Sequence, residues 1–281
     1  MSASSRPPRP RYLLGHDARE LERLDLQGRL YHDATVRALR SAGIEEGMSV
    51  LDIGCGTGDV SLRAASAVGR EGRVLGIDRG DAAVVAARAR AAAAGASNVE
   101  FRVSEVEDFR TSGHFDALVG RFVLMHQSDP GAALARAARC VRPGGIVVMM
   151  ESYMQLLRDG GHSEPHSPLY DQIVKWKCAV VEGAGADVRA GGRLRRTFLD
   201  AGLPEPVTRL EAPVEGGATS AYYDYVALSV RSMLPEAERL AVGGFRARDA
   251  TTLAARLRDE VVALGGALVA WPVVSAWSPV A

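Results

Sequence analysis

Three glycines at alternate positions, Gly54, Gly56 and Gly58, separate an apolar run from a helical pattern. The apolar run, residues 48–53, is typical of a buried parallel strand. From Val60 onward apolar residues recur at spacings of three and four, which predicts a helix. Glycine allows the backbone to turn sharply and to approach a ligand closely, where a Cβ would obstruct it. The stretch therefore predicts the strand, loop and helix that open a nucleotide-binding βαβ unit.

An acidic residue ends the next predicted strand. Residues 73–77 form this strand and lead into Asp78, twenty-four residues after Gly54. An acid at the tip of the second strand accepts hydrogen bonds from a ribose diol. The glycine loop and Asp78 together indicate an adenosine-type ligand across the carboxyl ends of two neighbouring strands.

The loop differs from the phosphate-binding pattern of nicotinamide enzymes. Its third glycine comes one place too early for GxGxxG, and Asp59 puts a negative charge where a pyrophosphate would lie. A Tyr-xxx-Lys pair, which a nicotinamide-dependent oxidoreductase would need, is absent from the sequence. S-adenosylmethionine carries no phosphate, and its ammonium and sulfonium tolerate carboxylates such as Asp52 and Asp59. These features favour S-adenosylmethionine, with the oxidoreductase as the alternative.

Four motifs in order resemble those of class I S-adenosylmethionine-dependent methyltransferases. They are VLDIGCGTGDV at 50–60, GID at 76–78, FDALVGRFVLMH at 115–126 and RPGG at 142–145, and they most resemble the ubiquinone/menaquinone-type small-molecule branch. The resemblance implies a Rossmann-like doubly wound α/β fold. Its seven-stranded sheet would be mostly parallel with an antiparallel last strand, and helices would be added at the N-terminus and as a lid.

The resemblance also implies which residues hold S-adenosylmethionine. The Ser104–Val106 turn would touch the adenine, with Glu105 accepting from its amine, unless Glu105 is only a surface acid. Gln27 would reach the cofactor if the N-terminal helices close over it, and not if they only pack on the core. The full expected set is Tyr12, Gln27, Asp52, Gly54, Gly56, Gly58, Asp78, Arg79, Ser104, Glu105, Val106, Arg121 and Phe122.

We expect one Rossmann-like domain with additions. Residues 1–11 read as a disordered tail, 12–46 as N-terminal helices, 47–151 as the cofactor-binding half and 152–281 as the remainder with inserted lid helices. In the last part, periodicity predicts helices over 168–182, 191–202, 218–233 and 249–264, and strands over 207–214 and 267–277.

Two residues are candidates for a catalytic base. His126 lies in a stretch similar to the His-Asp-Trp-Ser-Asp of small-molecule O-methyltransferases, whose histidine is the base, but one aromatic residue is missing here. A pocket-wall role and a structural role for His126 therefore stay open. Glu151 follows the fifth predicted strand, residues 146–150, and could be a base, a substrate anchor or a salt-bridged strand end.

Aromatic residues after the fifth strand suggest a substrate pocket. Tyr153, Trp176 and Tyr222, with Tyr223 and Tyr225, could form a cage for a flat or apolar substrate. Aromatic residues at helical spacing are also typical of a core. The predicted reaction is in-line methyl transfer to a small-molecule acceptor, such as a secondary metabolite with an aromatic or apolar body. A non-catalytic cofactor-binding protein of the same fold is a third hypothesis.

Composition excludes several other classes. Lys+Arg and Asp+Glu are both 34, so the formal charge is zero and no nucleic-acid footprint is expected. The sequence has no apolar run long enough for a membrane span, and its first residues lack the apolar core of a secretory signal. Three scattered cysteines fit a reducing cytoplasm and no metal site. We therefore expect a cytoplasmic enzyme without metal, nucleic-acid or membrane partners, and a homo-oligomer if its N-terminal helices swap.

Overall fold

A computed structural model describes residues 18–106, 108–111 and 114–281. Tyr12 and the predicted tail lie outside the described residues. In chain order the elements are α1 (Ala18–Leu30), α2 (His32–Ser41), β1 (Ser49–Ile53), α3 (Asp59–Val68), β2 (Arg73–Asp78), α4 (Asp81–Ala93), β3 (Val99–Val103), β4 (Phe115–Arg121), a 3-10 turn (Leu124–His126), α5 (Pro130–Ala138), β5 (Val141–Ser152), α6 (Met154–Arg158), β6 (Ser163–Glu164), α7 (Pro168–Gly183), α8 (Ala190–Asp200), β7 (Val207–Glu211), β8 (Val214–Gly216), α9 (Tyr222–Arg239), α10 (Ala247–Ala250), α11 (Leu253–Ala263), β9 (Ala267–Val269) and β10 (Val273–Pro279).

Seven strands form the main sheet in the order β3-β2-β1-β4-β5-β10-β7. Strands β1 to β5 pair in parallel, and β10 runs antiparallel to both of its neighbours, β5 and β7. This order confirms the predicted Rossmann-like sheet with an antiparallel last strand. The chain builds outward from β1 in one direction and then, from β4, in the other. Ligands bind at such a reversal, beyond the carboxyl ends of the strands.

The central strands are apolar because both faces of the sheet are covered. All five residues of β1 are buried. Val50 packs into the core on one face and Leu51 into the core on the other, and Val148 and Val147 of β5 divide in the same way. This alternation follows from the two-residue repeat of a strand. It explains why β1 reads as a continuous apolar run and not as an alternating one.

Proline divides two of the predicted strands. The strand expected over 207–214 is two strands, β7 and β8, separated by Ala212 and Pro213. The strand expected over 267–277 is β9 and β10, separated at Trp271 and Pro272. Proline has no N–H to donate, which interrupts the ladder of hydrogen bonds at these two points. Strands β6, β9 and β8 form a separate three-stranded antiparallel sheet.

The later helices also differ from the predicted ones in extent. Helix α9 ends at Arg239, six residues beyond the predicted 218–233, and the helix predicted over 249–264 is the pair α10 and α11. Helices α7 and α8 lie close to their predicted spans. Across the described residues, no helix combines the length and the apolar character needed to cross a membrane.

Asp116 joins the amino ends of the central strands, opposite the edge where ligands bind. Its Oδ2 accepts hydrogen bonds from the Ser49 backbone N–H at 2.7 Å and the Ser49 hydroxyl at 2.8 Å. Its Oδ1 accepts from Arg142 Nε at 2.7 Å. The Ser49 backbone donor, together with these side-chain partners, lowers the pKa of the Asp116 carboxyl to about 2.

We predict that Asp116→Ala lowers the free energy of unfolding by about 1–3 kcal/mol at neutral pH, since Ser49 loses its acceptor. The folded pKa is depressed, so this stabilisation is present above the unfolded pKa of about 4 and is lost as the pH falls through about 2. Urea unfolding across this range measures it. The control Asp259→Ala, at a side chain that is 78% exposed, should change stability by less than about 0.5 kcal/mol. A difference in the free energy of unfolding between wild type and Asp116→Ala that stays constant in acid would contradict the electrostatic cause.

Candidate active site

A cavity of about 230 Å³ lies beyond the carboxyl ends of β1, β2, β3 and β4. The loops after these strands form one side of it, and helices α1, α7 and α9 form the other. The structure places eleven of the predicted site residues in its wall: Gln27, Gly54, Gly56, Asp78, Arg79, Ser104, Glu105, Val106, Arg121, Phe122 and His126. The cavity approaches the size of small-molecule sites, which begin at about 300 Å³.

The three loop glycines meet different requirements. All are left-handed, with φ of 62° at Gly54, 52° at Gly56 and 81° at Gly58. A Cβ on Gly54 would lie 2.5 Å from Val123 Cγ2, and one on Gly58 would lie 2.7 Å from Phe101 Cζ. A Cβ on Gly56 would meet nothing within 4 Å. Because Gly56 lines the cavity, its bare backbone leaves open space where a ligand can approach.

Asp78 fixes the loop after β1 against the loop after β2. Its Oδ2 accepts from the Gly56 N–H at 2.9 Å, and its Oδ1 accepts from the Gly80 N–H at 2.8 Å. A carboxylate has about four acceptor sites, so two remain for a ligand in the cavity wall. The acid is therefore held rigidly at the strand tip, as its predicted role requires.

Asp59 is neutralised by the protein itself. Its Oδ1 lies 2.6 Å from an Arg63 nitrogen and its Oδ2 lies 2.7 Å from an Arg121 nitrogen. Arg121 also donates to the Thr35 hydroxyl at 2.8 Å. Two guanidinium groups therefore already balance the negative charge of Asp59, which lines the cavity.

Asp52 and Gly58 lie outside the cavity wall. Asp52 is buried behind the loop, and the Ser61 hydroxyl donates to its Oδ2 at 2.5 Å. Burial raises the pKa of Asp52 to about 7. Gly58 is the residue that precedes the first turn of α3. The structure thus gives both residues a part in shaping the loop, and their direct contact with a cofactor stays a prediction.

Phe122 adopts an uncommon backbone conformation at the end of β4. Its φ is 60°, in the left-handed region that costs a residue with a Cβ about 1–3 kcal/mol. The Phe122 N–H donates to the Met150 carbonyl at 2.8 Å, and its ring packs edge-on against Tyr31 with centroids 5.4 Å apart. Such strain is found where a residue is held in place for a function.

Glu151 supports the site from outside the cavity wall. It is fully buried, and its carboxylate accepts from the backbone N–H groups of Val123 at 2.9 Å, Leu124 at 2.7 Å and Met125 at 3.3 Å. Burial raises its pKa to about 7, although these N–H groups oppose the change. The carboxylate is withdrawn from the cavity wall and serves the turn that carries His126, which favours a structural role at the strand end. A role of Glu151 as a base or a substrate anchor stays a prediction.

His126 lies in the cavity wall and is half-buried. Burial, with a smaller effect from the charge of Arg79, lowers the pKa of His126 to about 4. Its imidazole is therefore neutral near pH 7. A group with so low a pKa has little driving force to take a proton from a weakly acidic hydroxyl. The site favours the wall role of His126 over the base role.

The predicted substrate residues lie in the core. Tyr153 packs so closely on α8 that a Cβ at Gly192 would lie 2.7 Å from its Cζ. Trp176 packs edge-on against Phe245 with centroids 5.4 Å apart. Tyr222 is buried and its hydroxyl bonds to that of Tyr170. None of the three lines the cavity, whereas Tyr225, which the predicted cage also included, does line it. The other aromatic rings of the wall are Tyr31, Phe122 and Trp271. The core positions of the first three favour a packing role, and their contact with a substrate stays a prediction.

Lys177 is a wall residue that the sequence patterns did not indicate. It follows Trp176 on α7, where the apolar periodicity predicts burial for the neighbouring apolar residues and not for the lysine. A compositional signal exists, because the chain has only two lysines, Lys175 and Lys177, among its 34 basic residues. In so arginine-rich a chain, a lysine within an apolar helical segment is itself a signal of a residue with a special role.

The sheet order and the cavity beyond the glycine loop define the Rossmann-like methyltransferase fold. The YcgJ protein of Bacillus subtilis has this fold with a TM-score of 0.59 and 17% identity, over 89% of this chain and 99% of that one. An S-adenosylmethionine-dependent methyltransferase of Aquifex aeolicus has the same fold with a TM-score of 0.51 and 21% identity, over 73% of this chain and 95% of that one.

Sequence comparison then gives the family. The family model described as a methyltransferase domain matches residues 44–200, more than half of the chain. The chain belongs to this methyltransferase family, as its motifs predicted.

Two curated relatives carry quinone-pathway names. The demethylmenaquinone methyltransferase of Staphylococcus aureus is 29% identical over 49% of this chain and 52% of its own length. The ubiquinone/menaquinone biosynthesis C-methyltransferase UbiE of Shewanella piezotolerans is 32% identical over 40% and 46%. A Streptomyces fradiae protein in transposon TN4556, described as uncharacterized, is 36% identical over 57% of this chain and 44% of its own length. The chain spans about half the length of these relatives.

We predict that Glu151→Ala loosens the turn at 123–125, because three backbone N–H groups lose their buried acceptor. Hydrogen exchange of these amides should become at least about tenfold faster. Glu260→Ala is a matched control, since Glu260 accepts from the Leu169 N–H at 3.1 Å at the start of α7. The control should speed exchange near residue 169 and leave 123–125 unchanged. Unaltered protection of 123–125 in Glu151→Ala would contradict the supporting role.

Proposed function

We propose that this protein binds S-adenosylmethionine in the cavity and transfers its methyl group to a small-molecule acceptor. The observation that carries the proposal is the pairing of Gly56 and Asp78. The open side of Gly56 faces the cavity, and the Asp78 carboxylate is fixed beside it by two backbone N–H groups. Membership of the methyltransferase family supports the same reading.

The wall residues fit the parts of this cofactor. Asp78 would accept from the ribose hydroxyls, and the backbone of Gly54 and Gly56 would pass beneath the ligand. The turn at 104–106 would surround the adenine. Gln27, Arg121 and Phe122 would lie at the methionine end, beside the ends of β4 and α1.

The protein's own part in the reaction is to position the acceptor against the methyl group and to exclude water. When bound, the cofactor supplies a methyl group that is already activated on a sulfonium. Holding a nucleophile in line with such a group can be worth about 7–11 kcal/mol. Tyr31, Phe122, Tyr225 and Trp271 give the cavity apolar, ring-bearing walls. We therefore propose an acceptor with a flat aromatic or apolar body, such as a quinol-like ring or a secondary metabolite, and the names of the quinone-pathway relatives are consistent with it.

We predict that Asp78→Ala weakens binding of S-adenosylhomocysteine at least about tenfold, since the variant loses the ribose acceptor and the bridge between two loops. Titration calorimetry with S-adenosylmethionine, S-adenosylhomocysteine and NADH measures this. The control Asp81→Ala changes an exposed acid three residues further on and should bind within about threefold of wild type. Binding of NADH alone would contradict the proposal and favour the oxidoreductase. Tight cofactor binding without turnover on any acceptor would favour the non-catalytic alternative.

We predict that His126 does not change the ratio of the affinities for S-adenosylmethionine and for S-adenosylhomocysteine, which lacks the sulfonium charge, between about pH 8 and pH 6. A histidine of ordinary pKa, about 6.5, would gain charge in this range and repel the sulfonium. The lowered pKa of His126 delays that charge until the pH approaches about 4. The same titrations on His126→Gln should give the same ratio above pH 6. A transition near pH 6.5 that disappears in His126→Gln would show that His126 titrates normally.

A further inference from the structure

Lys177 presents a buried amine to the cavity. The residue is only 4% exposed and lines the cavity from the middle of α7. Its Nζ lies 5.0 Å from the centroid of the Trp271 ring and 5.5 Å from that of Tyr225. In the described part of the chain no carboxylate pairs with it. Two aromatic faces thus hold a polar group for which the described residues supply no neutralising acid.

The groups that face Lys177 act on its protonation in opposite directions. The Arg23 guanidinium on α1 favours the neutral amine, whereas the Cys178 thiol on α7 and the ring faces of Tyr225 and Trp271 favour the ammonium. Burial, reinforced by the positive charge of Arg23, lowers the pKa of Lys177 to about 7. An amine of this kind is divided between its neutral and charged forms at neutral pH, which suits it to exchange a proton.

The choice of residue is informative. Arginine supplies 32 of the 34 basic residues, and lysine appears only at 175 and 177. A guanidinium does not release its proton in proteins, whereas a buried amine does so readily. Lys175 is 60% exposed and pairs with Asp171 at 2.8 Å, as a surface cation does. Lys177 is therefore the basic side chain of the cavity that can act as a base.

We propose that Lys177 contacts the acceptor and takes the proton from an acidic hydroxyl, phenolic or enolic, on its ring. This inference rests on the proposed function, which places the acceptor in the same cavity. In the step, the O–H bond breaks, the proton goes to the lone pair of Nζ and the electron pair stays on oxygen. The result is an oxyanion beside an ammonium. The oxygen, or the ring carbon conjugated with it, is then the nucleophile.

Other bases in the site are less suited to this step. Glu151 is outside the cavity wall and its oxygens accept from three backbone N–H groups. His126 has a pKa lowered to about 4. An ammonium at Lys177 would also stabilise the oxyanion that it creates, and Arg23 adds a second positive charge to the same wall.

The probe is 3-nitrophenol, a phenol whose ionised form absorbs visible light and whose pKa lies above that of Lys177, added to full-length protein saturated with S-adenosylhomocysteine. At a pH between these two pKa values the free dye is mostly un-ionised and Lys177 is mostly the neutral amine, so wild type should take the proton and bind the dye as the phenolate. Lys177→Met, which keeps the length of the side chain, should lose at least about tenfold in dye affinity and lose the phenolate band. The matched control is Lys175→Met, on the same helix, which should behave as wild type.

A second readout follows the proton to its destination. With ¹³C-lysine labelling the protein gives only two lysine Cε signals, and Lys175→Met assigns them. The Lys177 signal should titrate near neutral pH and move to the ammonium position when the dye binds. This measurement uses a wild-type site, so it stands even if Lys177→Met fails to fold.

The outcomes separate this inference from the proposed function. Failure to bind S-adenosylhomocysteine would overturn the proposed function and the inference with it. If S-adenosylhomocysteine binds normally, three results would overturn the inference alone. The dye does not bind, Lys177→Met ionises the dye as well as wild type does, or the Lys177 signal does not change. Loss of the phenolate band in Lys177→Met, with S-adenosylhomocysteine affinity within about threefold of wild type, supports it.

Discussion

The buried ion pairs of Asp59 hold the site together. Asp59 begins α3 directly after the glycine loop, and it pairs with Arg121 at the end of β4 and with Arg63 one turn further along α3. Arg63 also donates to the Gly28 carbonyl of α1 at 3.1 Å. A Cβ at Gly28 would lie 2.5 Å from Asp59 Oδ1, so α1 passes this close only because it has a glycine there. Breaking such a buried pair by removing one partner typically costs about 3–5 kcal/mol.

The local half of the site could be predicted from the sequence. The glycine loop and Asp78 lie within one βαβ unit, so their geometry depends on short-range backbone requirements that leave a pattern in the residues. The role of Glu151 could not be predicted in this way, because its partners are backbone N–H groups 26 to 28 residues earlier in the chain. Nothing in the side chains of Val123, Leu124 and Met125 indicates that their amides need an acceptor.

The substrate side could not be predicted because helix α7 is buried on several faces. Trp176 and Lys177 are both buried, yet only Lys177 lines the cavity. When a helix packs against neighbours on most sides, apolar periodicity does not show which face borders a ligand. Similarly, Tyr222 and Tyr225 stack on each other on α9, and only Tyr225 reaches the wall. Trp271 lies in the break between β9 and β10, which the sequence suggested was one strand.

Photolabelling with methyl-tritiated S-adenosylmethionine tests the central claim, that the cofactor lies at the carboxyl edge of β1, β2 and β4. Ultraviolet irradiation of the full-length protein, followed by peptide mapping, locates the residues that acquire the label. We expect label within 54–60, 78–83, 104–106 or 121–127, and we expect excess S-adenosylhomocysteine, but not NADH, to prevent it. Label confined to residues outside the cavity wall, or labelling that NADH prevents and S-adenosylhomocysteine does not, would contradict it.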